Sequence, residues 1–388
     1  ILEQFSTVKV KDMKPFIRNL LRMSVYQLKY MDSVPDSAVC NEAVKLAQKK
    51  GFYTLKNFVN GVLRNVARKL DQVVYPDKEK TPRKYLSVTY SMPEWILKKW
   101  LAQFDVQIVE TMCQSMRKES PTCIRCNLSK ATKEEIMQSL EAQHITVKEV
   151  PYLDYALEIS DYNYLQAIDA FKEGLFQVQD VSSMLVAEIA DPKWGNYCID
   201  VCAAPGGKSL HLSDKLAGSG YVEARDLTDY KVELMKENLE RTKRINMEAV
   251  KQDATVFDEN SVEKADILLA DLPCSGLGVM GRKPDIRYKM TEAKQQELVK
   301  IQRKILDTVW SYVKVGGTLV YSTCTIGADE NQYNVKWFLE NYPFQLDSID
   351  PYICEELRSK TTKAGYLQLL PGVHSSDGFF IVRLKRIR

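Results

Sequence analysis

The chain has 388 residues, 45% of them hydrophobic, which is enough to bury cores in two or three domains. It has no run of about 18 uncharged apolar residues, which argues against a membrane span, and its start at Ile1 has no signal-peptide core. Its nine irregularly spaced cysteines do not suggest a disulfide framework, so we expect reduced thiols in a cytoplasmic protein that lacks its natural start.

The net charge of +3 is unevenly distributed along the chain. Residues 1–100 carry a net charge of +10, so the remaining 288 residues sum to −7. A basic segment of this kind is a candidate surface for a polyanion such as a nucleic acid. Solvated helix faces give the same charge pattern, and charge alone does not decide between these two interpretations.

Helical periodicity dominates the beginning of the chain. Apolar residues recur at intervals of three and four in three stretches, which predicts three amphipathic helices. The second helix is predicted to begin after Pro35, with Asp36 as its cap, and to end at Gly51. Residues 1–74 are therefore predicted to form an all-helical domain.

Two further segments follow this helical domain. Residues 75–120 are predicted to hold a linker, since residues 75–83 contain two prolines and mixed charge, and then short helices. Residues 121–172 combine short apolar runs with one helical stretch, which is typical of a small α+β segment. Cys123 and Cys126 form a C-x-x-C pair there, but no second ligand pair follows, so we interpret both as strand residues and expect no metal.

Strand and helix patterns alternate over residues 173–388. The apolar runs are Y-C-I-D-V-C, Y-V-E-A-R-D, M-E-A-V-K-Q-D, A-D-I-L-L-A-D and G-T-L-V-Y-S-T-C. This alternation predicts an α/β fold with a mostly parallel, doubly wound sheet that is covered on both faces. The last run, G-F-F-I-V-R-L-K-R, begins at Gly378 and is expected to close the edge of the sheet.

The first of these strands ends in D-V-C-A-A-P-G-G-K-S, residues 200–209, before a helix. Ligands bind at the carboxyl ends of strands in such sheets, where glycines allow close approach and a helix N-terminus favours an anionic group. The stretch matches neither G-x-G-x-x-G nor the phosphate-loop pattern. We predict that this loop contacts a cofactor through Cys202, Ala203, Ala204, Pro205, Gly206, Gly207 and Lys208.

Three aspartates end the next three strands. Asp226 is placed to accept hydrogen bonds from ribose hydroxyls, and Asp253 lies where an adenine amino group is expected. Asp271 ends the fourth strand. One such aspartate is usually a helix cap or loop residue, but three in succession fit a nucleoside. We therefore expect a ligand that contains a nucleoside and a carboxylate, which matches S-adenosylmethionine. We assign its methionine carboxylate to Lys208.

Three motifs resemble those of the Nol/Nop/Sun family of RNA cytosine carbon-5 methyltransferases: D-V-C-A-A-P-G-G-K-S, D-L-P-C-S-G-L-G and Y-S-T-C-T-I. The resemblance covers nearly the whole chain, because the N-terminal helices are similar to a NusB-like RNA-binding module. It implies a Rossmann-like class I S-adenosylmethionine-dependent methyltransferase domain over residues 173–388. A small α+β RNA-binding segment over residues 121–172 and a NusB-like domain over residues 1–74, incomplete at its start, would precede it.

The resemblance also implies the reaction, which is methylation of carbon 5 of a cytosine in 16S rRNA, free or in an assembling small subunit. Carbon 5 is a poor nucleophile until a thiolate adds to carbon 6. The family uses the cysteine after the fifth strand, Cys324 here, for this attack and the Pro-Cys thiol, Cys274, for product release. Asp271 would bind the base and stabilise the developing charge. A lone cysteine is more often a small buried hydrophobe, but two at adjacent strand ends favour catalysis.

The loop over residues 281–288 is basic and contains an aromatic residue. This composition suits phosphate contact and stacking beside a flipped-out cytosine, although a solvated loop would look the same. The predicted RNA-contacting residues are Pro273, Arg282, Lys283 and Arg287, with Tyr288 for stacking. A non-catalytic ribosome-assembly RNA-binding protein is one alternative function. A DNA cytosine methyltransferase is another, but it would leave the Y-S-T-C-T-I thiol without a purpose. We expect a monomer.

Overall fold

The computed structural model describes residues 1–118 and 121–388. Contacts within the chain divide it into two compact units, Ile1–Thr81 and Pro82–Arg388. The division falls inside the predicted linker, whose last two residues begin a helix of the second unit. None of the helices in the described part of the chain is long and apolar enough to cross a membrane.

The first unit is helical and is held together by one apolar core. Its helices are α1 Leu2–Phe5, α2 Pro15–Tyr30, α3 Asp36–Lys49 and α4 Lys56–Arg68. Leu21, Ala47 and Leu63 lie at the centre of that core with no exposed surface. The three amphipathic helices are confirmed, but the cap was wrong, because Pro35 already has the extended backbone of a cap and Asp36 is the first helical residue. An aspartate in the first turn still favours the helix dipole.

The second unit opens with three helices, α5 Pro82–Tyr90, α6 Glu94–Leu101 and α7 Val106–Ser115. Their apolar faces do not form a separate core. They pack with Leu277, Met280 and Ile326, which come from much later in the chain. The short helices predicted between the two domains are therefore an integral part of the second unit.

A four-stranded antiparallel sheet follows, with the strand order β2-β3-β1-β4. Its elements are β1 Thr122–Cys126, α8 Lys133–Ala142, β2 Thr146–Glu149, β3 Ala156–Ser160, α9 Asp169–Lys172 and β4 Phe176–Val178. Cys123 and Cys126 are buried residues of β1, which confirms that they are strand residues. The fourth strand lies beyond residue 172, so the small sheet extends further along the chain than its helix and strand patterns indicated.

The large sheet contains the predicted strand and helix alternation. Strands β7, β6, β5, β8 and β9 lie side by side in that order and are parallel. Their bounds are β5 Tyr197–Asp200, β6 Tyr221–Asp226, β7 Met247–Lys251, β8 Ala265–Asp271 and β9 Val313–Thr323. The helices around them are α10 Val181–Ala190, α11 Gly207–Lys215, α12 Asp229–Thr242, α13 Ile286–Lys289, α14 Glu292–Val309, α15 Gln332–Asn341 and α16 Lys360–Ala364.

The last strand does not close the sheet, which corrects the prediction. Strand β12, Phe379–Arg386, runs antiparallel to β9 and pairs on its other side with two short strands, β10 Phe344–Leu346 and β11 Tyr366–Leu369. Three and four residues are too few to show a strand period, so the sequence did not reveal them. The carboxyl ends of the five parallel strands still meet at one edge, where the site is built.

Candidate active site

Two thiols from neighbouring strand ends lie in contact at this edge. Strands β8 and β9 pair in parallel, so that Asp271 lies opposite Ser322. Cys274 and Cys324 follow shortly after these two positions, and their Sγ atoms are 3.2 Å apart as free thiols. The parallel register thus brings together two cysteines that are 50 residues apart in the chain.

The two thiols are not equivalent. The hydrogen bond to Cys324, together with burial and nearby negative charge, raises the pKa of Cys274 well above its usual value. The same hydrogen bond lowers the pKa of Cys324, because a thiolate at Cys324 can accept it from the Cys274 S–H. Burial opposes that decrease, and the ammonium groups of Lys208 and Lys283 support it. The negative charge therefore belongs on Cys324, and the proton on Cys274.

Lys208 connects the glycine turn with the thiols. Its Nζ lies 2.7 Å from Asp271 Oδ2, while Ser322 Oγ donates to Asp271 Oδ1 at 2.7 Å. Burial would lower the pKa of Lys208, but the Asp271 carboxylate outweighs it and that pKa is raised. The sequence assigned Lys208 to a cofactor carboxylate. The structure pairs it with Asp271, since the strand register places this carboxylate beside the start of α11.

The turn before α11 has the backbone that the sequence predicts for a ligand-binding loop. Gly206 is the N-cap residue and has a φ of 101°, which favours glycine. A Cβ added there would also come within 3.4 Å of the Met235 side chain. Burial raises the pKa of the Cys202 thiol, which keeps it protonated. A protonated Cys202 thiol is a weak nucleophile, so Cys202 acts as a small residue of the loop.

Asp226 and Asp253 both bind nearby donor groups. The buried Asp226 carboxylate accepts the Ala204 N–H at 3.0 Å and the Leu227 N–H at 2.7 Å, and pairs with Lys231 at 2.9 Å. A carboxylate has about four lone-pair sites, so one remains on Asp226 for a ligand. Asp253 Oδ1 accepts two hydrogen bonds from Thr255, which lowers the pKa of Asp253.

A fourth carboxylate, Asp200 at the end of β5, was missed by the sequence analysis. It is 1% exposed and accepts the Ser209 hydroxyl at 2.6 Å and the Cys202 N–H at 3.4 Å. Burial raises the pKa of Asp200 from 3.8 to about 7. The signal was available, because Asp200 ends its strand in the same way as Asp226 ends the next one.

Two arginines that were predicted to contact RNA bind acceptors of the protein itself. Arg282 pairs with Asp377 at 2.7 Å and with Asp180 at 3.3 Å. Arg287 is buried and donates to the backbone carbonyl of Tyr90 at 3.3 Å. Acceptors from distant parts of the chain thus occupy these guanidinium groups, and contact of either arginine with RNA stays a prediction.

The other predicted RNA-contacting residues lie at the thiols or in solvent. Lys283 is exposed, yet its charge reaches Cys324 and lowers the pKa of that thiol. The Pro273 carbonyl accepts a hydrogen bond from Gln302 at 2.9 Å. Tyr288 is 71% exposed. Lys283 and Tyr288 are thus the two side chains of the basic loop that remain available to a nucleic acid.

Helix α6 supports the loop that carries Cys324, and no sequence motif indicated this. The buried Trp100 donates its Nε1–H to the Ile326 carbonyl at 2.7 Å. Lys99 donates to Gln295 Oε1 at 2.7 Å and pairs with Asp329 at 2.6 Å. Helix α6 therefore holds the loop after β9 in place.

The family profile described as 16S rRNA methyltransferase RsmB/F matches residues 187–385. The NusB family profile matches residues 1–68. A third profile, described as the ferredoxin-like domain of RsmF/B-like methyltransferases, matches residues 92–164. The order of the three matches agrees with the helical domain, the small sheet and the large sheet described above.

Relatives extend this match over nearly the full chain. The chain is 35% identical to the probable ribosomal RNA small subunit methyltransferase B of Bacillus subtilis (strain 168), over 97% of this chain and 84% of the relative. Identity to the ribosomal RNA small subunit methyltransferase B of Escherichia coli O6:H1 is 31%, over 95% and 82% of the two chains. The solved structure of NSun6 from Pyrococcus horikoshii with SFG has a similar fold, with a TM-score of 0.67 and 21% identity over 81% of this chain and 99% of that one. The family resemblance is confirmed, and the chain belongs to the RsmB/F family of ribosomal RNA small subunit methyltransferases.

Proposed function

We propose that this methyltransferase acts on carbon 5 of a cytosine in 16S rRNA through a covalent bond between Cys324 and carbon 6 of the base. The observation that carries the proposal is the pair of unequal thiols, 3.2 Å apart, beside the Lys208–Asp271 ion pair. S-adenosylmethionine, the donor that the family uses, supplies the methyl group when it is bound.

The residues at the neighbouring strand ends fit this donor. The free N–H groups at the start of α11 suit an anionic group, and the positive φ of Gly206 allows close approach. The remaining lone-pair site of Asp226 suits a ribose hydroxyl, and Asp253 lies at the end of the next strand for the adenine. Cys202, Ala203, Ala204, Pro205 and Gly207 complete the loop as small residues.

Attack on the base uses the thiol that carries the charge. The Cys324 thiolate forms a bond to carbon 6, and the displaced electron pair makes carbon 5 nucleophilic. The Asp271 carboxylate accepts a hydrogen bond from the exocyclic amino group, and the Lys208 ammonium offsets the negative charge that develops on the ring. In this assignment Lys208 acts on the base rather than on the cofactor carboxylate.

Release of the product uses the second thiol. When Cys324 is bonded to carbon 6 it no longer carries a negative charge, so the main cause of the raised pKa of Cys274 is removed. Cys274 can then lose its own proton to solvent, and the resulting thiolate takes up the proton that leaves carbon 5. That electron pair restores the double bond between carbons 5 and 6, and Cys324 leaves as a thiolate.

RNA would be held largely through its backbone. The first unit carries 15 Lys/Arg against 8 Asp/Glu, a positive balance that suits phosphate contacts. Lys283 and Tyr288 would contact the nucleotide at the thiols. A non-catalytic RNA-binding protein would not need a lowered pKa at Cys324, the thiol after β9, and neither would a DNA cytosine methyltransferase.

The reaction can be tested with purified protein, methyl-labelled S-adenosylmethionine and unmodified 16S rRNA. We expect label on carbon 5 of one cytosine. A second RNA that carries 5-fluorocytidine should become covalently attached at Cys324, because fluorine cannot leave carbon 5 as a proton does. Folded protein that binds the donor but places no label on carbon 5 would refute the proposal.

A further inference from the structure

Glu330 is a fully buried carboxylate between the two loops that carry the thiols. Its Oε1 accepts the Ser275 N–H at 2.8 Å and the Gln302 amide at 3.1 Å. Its Oε2 accepts the Ser275 hydroxyl at 2.5 Å and the Gln295 amide at 2.9 Å. An ionised carboxylate has about four lone-pair sites, so these four donors fill all of them.

The two glutamines cannot turn their oxygens toward Glu330. Gln295 Oε1 accepts a hydrogen bond from Lys99 at 2.7 Å, and Gln302 Oε1 accepts one from Asn334 at 2.7 Å. Each amide N–H group therefore has to point at the carboxylate. The four contacts of the Glu330 carboxylate are therefore with donor groups, an arrangement that suits a charged carboxylate.

The same cluster joins the residues next to both thiols. Ser275 follows Cys274, Thr325 follows Cys324, and the two hydroxyl oxygens are 2.7 Å apart. Ser275 donates its hydroxyl proton to Glu330. Thr325 is then the donor in the hydrogen bond between the Thr325 and Ser275 hydroxyl groups. A chain of two hydrogen bonds thus connects the Cys324 loop through the Cys274 loop to Glu330.

The charge on Glu330 is compensated by neutral hydrogen-bond donors. Within the described residues, no lysine, arginine or histidine nitrogen forms an ion pair with it, although a buried unpaired charge is costly. Several charged groups face the thiol pair from the elements around it. Lys208 and Lys283 act on Cys324, Asp271 acts on both thiols, and Glu330 acts on Cys274.

We propose that Glu330 is a positioning residue that determines which thiol carries the proton. Its negative charge disfavours a thiolate at Cys274, and its hydrogen bonds hold the two loops so that Cys274 can donate to Cys324. The importance of this for catalysis rests on the proposed function, but the distribution of the proton between the thiols does not.

The test therefore uses neither RNA nor S-adenosylmethionine. A limiting amount of iodoacetamide is added at several pH values, and mass spectrometry gives the initial labelling of Cys324 and Cys274. In the wild-type protein we expect Cys324 to react first and at lower pH. In Glu330→Gln, the ratio of Cys324 to Cys274 labelling should fall by roughly tenfold, which corresponds to one pKa unit.

Two variants separate charge from a general effect of substitution. Glu330→Asp keeps the charge and should retain the preference for Cys324. Glu297→Gln removes an exposed carboxylate from α14, the helix that also carries Gln295 and Gln302, and should leave the labelling ratio unchanged.

The result that would overturn the inference is a wild-type ratio in folded Glu330→Gln. If that variant does not fold, the wild-type protein decides the matter, because equal labelling or faster labelling of Cys274 contradicts a proton held on Cys274. Protein that labels as expected but methylates no cytosine would contradict the proposed function and leave this inference standing.

Discussion

The two halves of the strand-end edge use their carboxylates in different ways. On the β5 and β6 side, Asp200 and Asp226 are buried and bind N–H and hydroxyl groups of the loop around them. On the β8 and β9 side, Asp271 binds an ammonium group beside two coupled thiols. The first half is a scaffold that holds the loop through hydrogen bonds, whereas the second half contains the two thiols between which a proton is distributed.

This difference determines what a substitution should do. Loss of a carboxylate on the scaffold side removes acceptors for the loop, so binding and stability should change while the thiols keep their protonation states. Loss of a charge on the thiol side changes which groups are ionised, so the pH dependence of the reaction should change. The expected effect on methyl transfer decreases from the two thiols to Lys208, then to Asp226 and to Asp200.

The largest effects are expected at the thiols themselves. Cys324→Ala should abolish turnover, because it removes the thiolate that bonds to carbon 6. Cys274→Ala should let a covalent protein–RNA adduct accumulate, visible as a slow band on a denaturing gel. Cys354→Ser, at a partly buried cysteine that lies outside the loops after β8 and β9, is the control and should remain active. An adduct that accumulates in Cys324→Ala instead would reverse the two roles.

Lys208→Met should lower the rate by roughly 10- to 100-fold near pH 7, the scale expected when a catalytic group loses its correct ionisation. The Lys208 ammonium lowers the pKa of Cys324, so its removal raises that pKa. The rate rises with pH as Cys324 loses its proton, and this increase should move to higher pH in the variant. Lys231→Met removes the ammonium beside Asp226 and should leave the position of this increase unchanged.

Asp226→Asn should weaken S-adenosylmethionine binding by about tenfold, the equivalent of one hydrogen bond to a charged group. Asn keeps the shape of Asp226 but loses the negative charge that binds Lys231. It also loses half of the hydrogen-bond acceptor capacity, because one oxygen becomes an amide nitrogen. Calorimetry measures the affinity, and Asp229→Asn, an exposed carboxylate that starts α12, is the matched control. Unchanged affinity, or a changed preference for Cys324 in thiol labelling, would contradict the division between the two halves.

The convergence of the thiols could be predicted from sequence because it depends on local patterns. Apolar runs that end in Asp271, Cys274 or Cys324 predict strand ends, and parallel strands place their carboxyl ends at one edge. The pairing of Lys208 with Asp271 was not predicted, because it depends on the register between β5 and β8, which no local pattern records.

Residues outside the parallel strands were harder to predict. A basic loop has the same composition whether its side chains bind phosphate or protein, and the acidic partners of Arg282 lie about 100 residues away on either side. Trp100 and Glu330 were missed for a similar reason, since their contacts join α6, α14 and two loops that meet only in the folded chain.

The smallest effect on methyl transfer is expected from Asp200, whose signature is a change of stability with pH. Burial raises the pKa of Asp200 to about 7 in the folded protein, from the value of 3.8 that we take for the unfolded chain. Between these values the folded chain binds a proton that the unfolded chain has lost, so the free energy of unfolding falls as pH rises from about 4 to 7. Asp200→Asn cannot ionise, so its Tm should decline less than that of the wild type over this range. Parallel Tm curves for the two proteins would show that Asp200 is ionised throughout this range. The scaffold side would then contain a buried negative charge, as the thiol side does at Glu330.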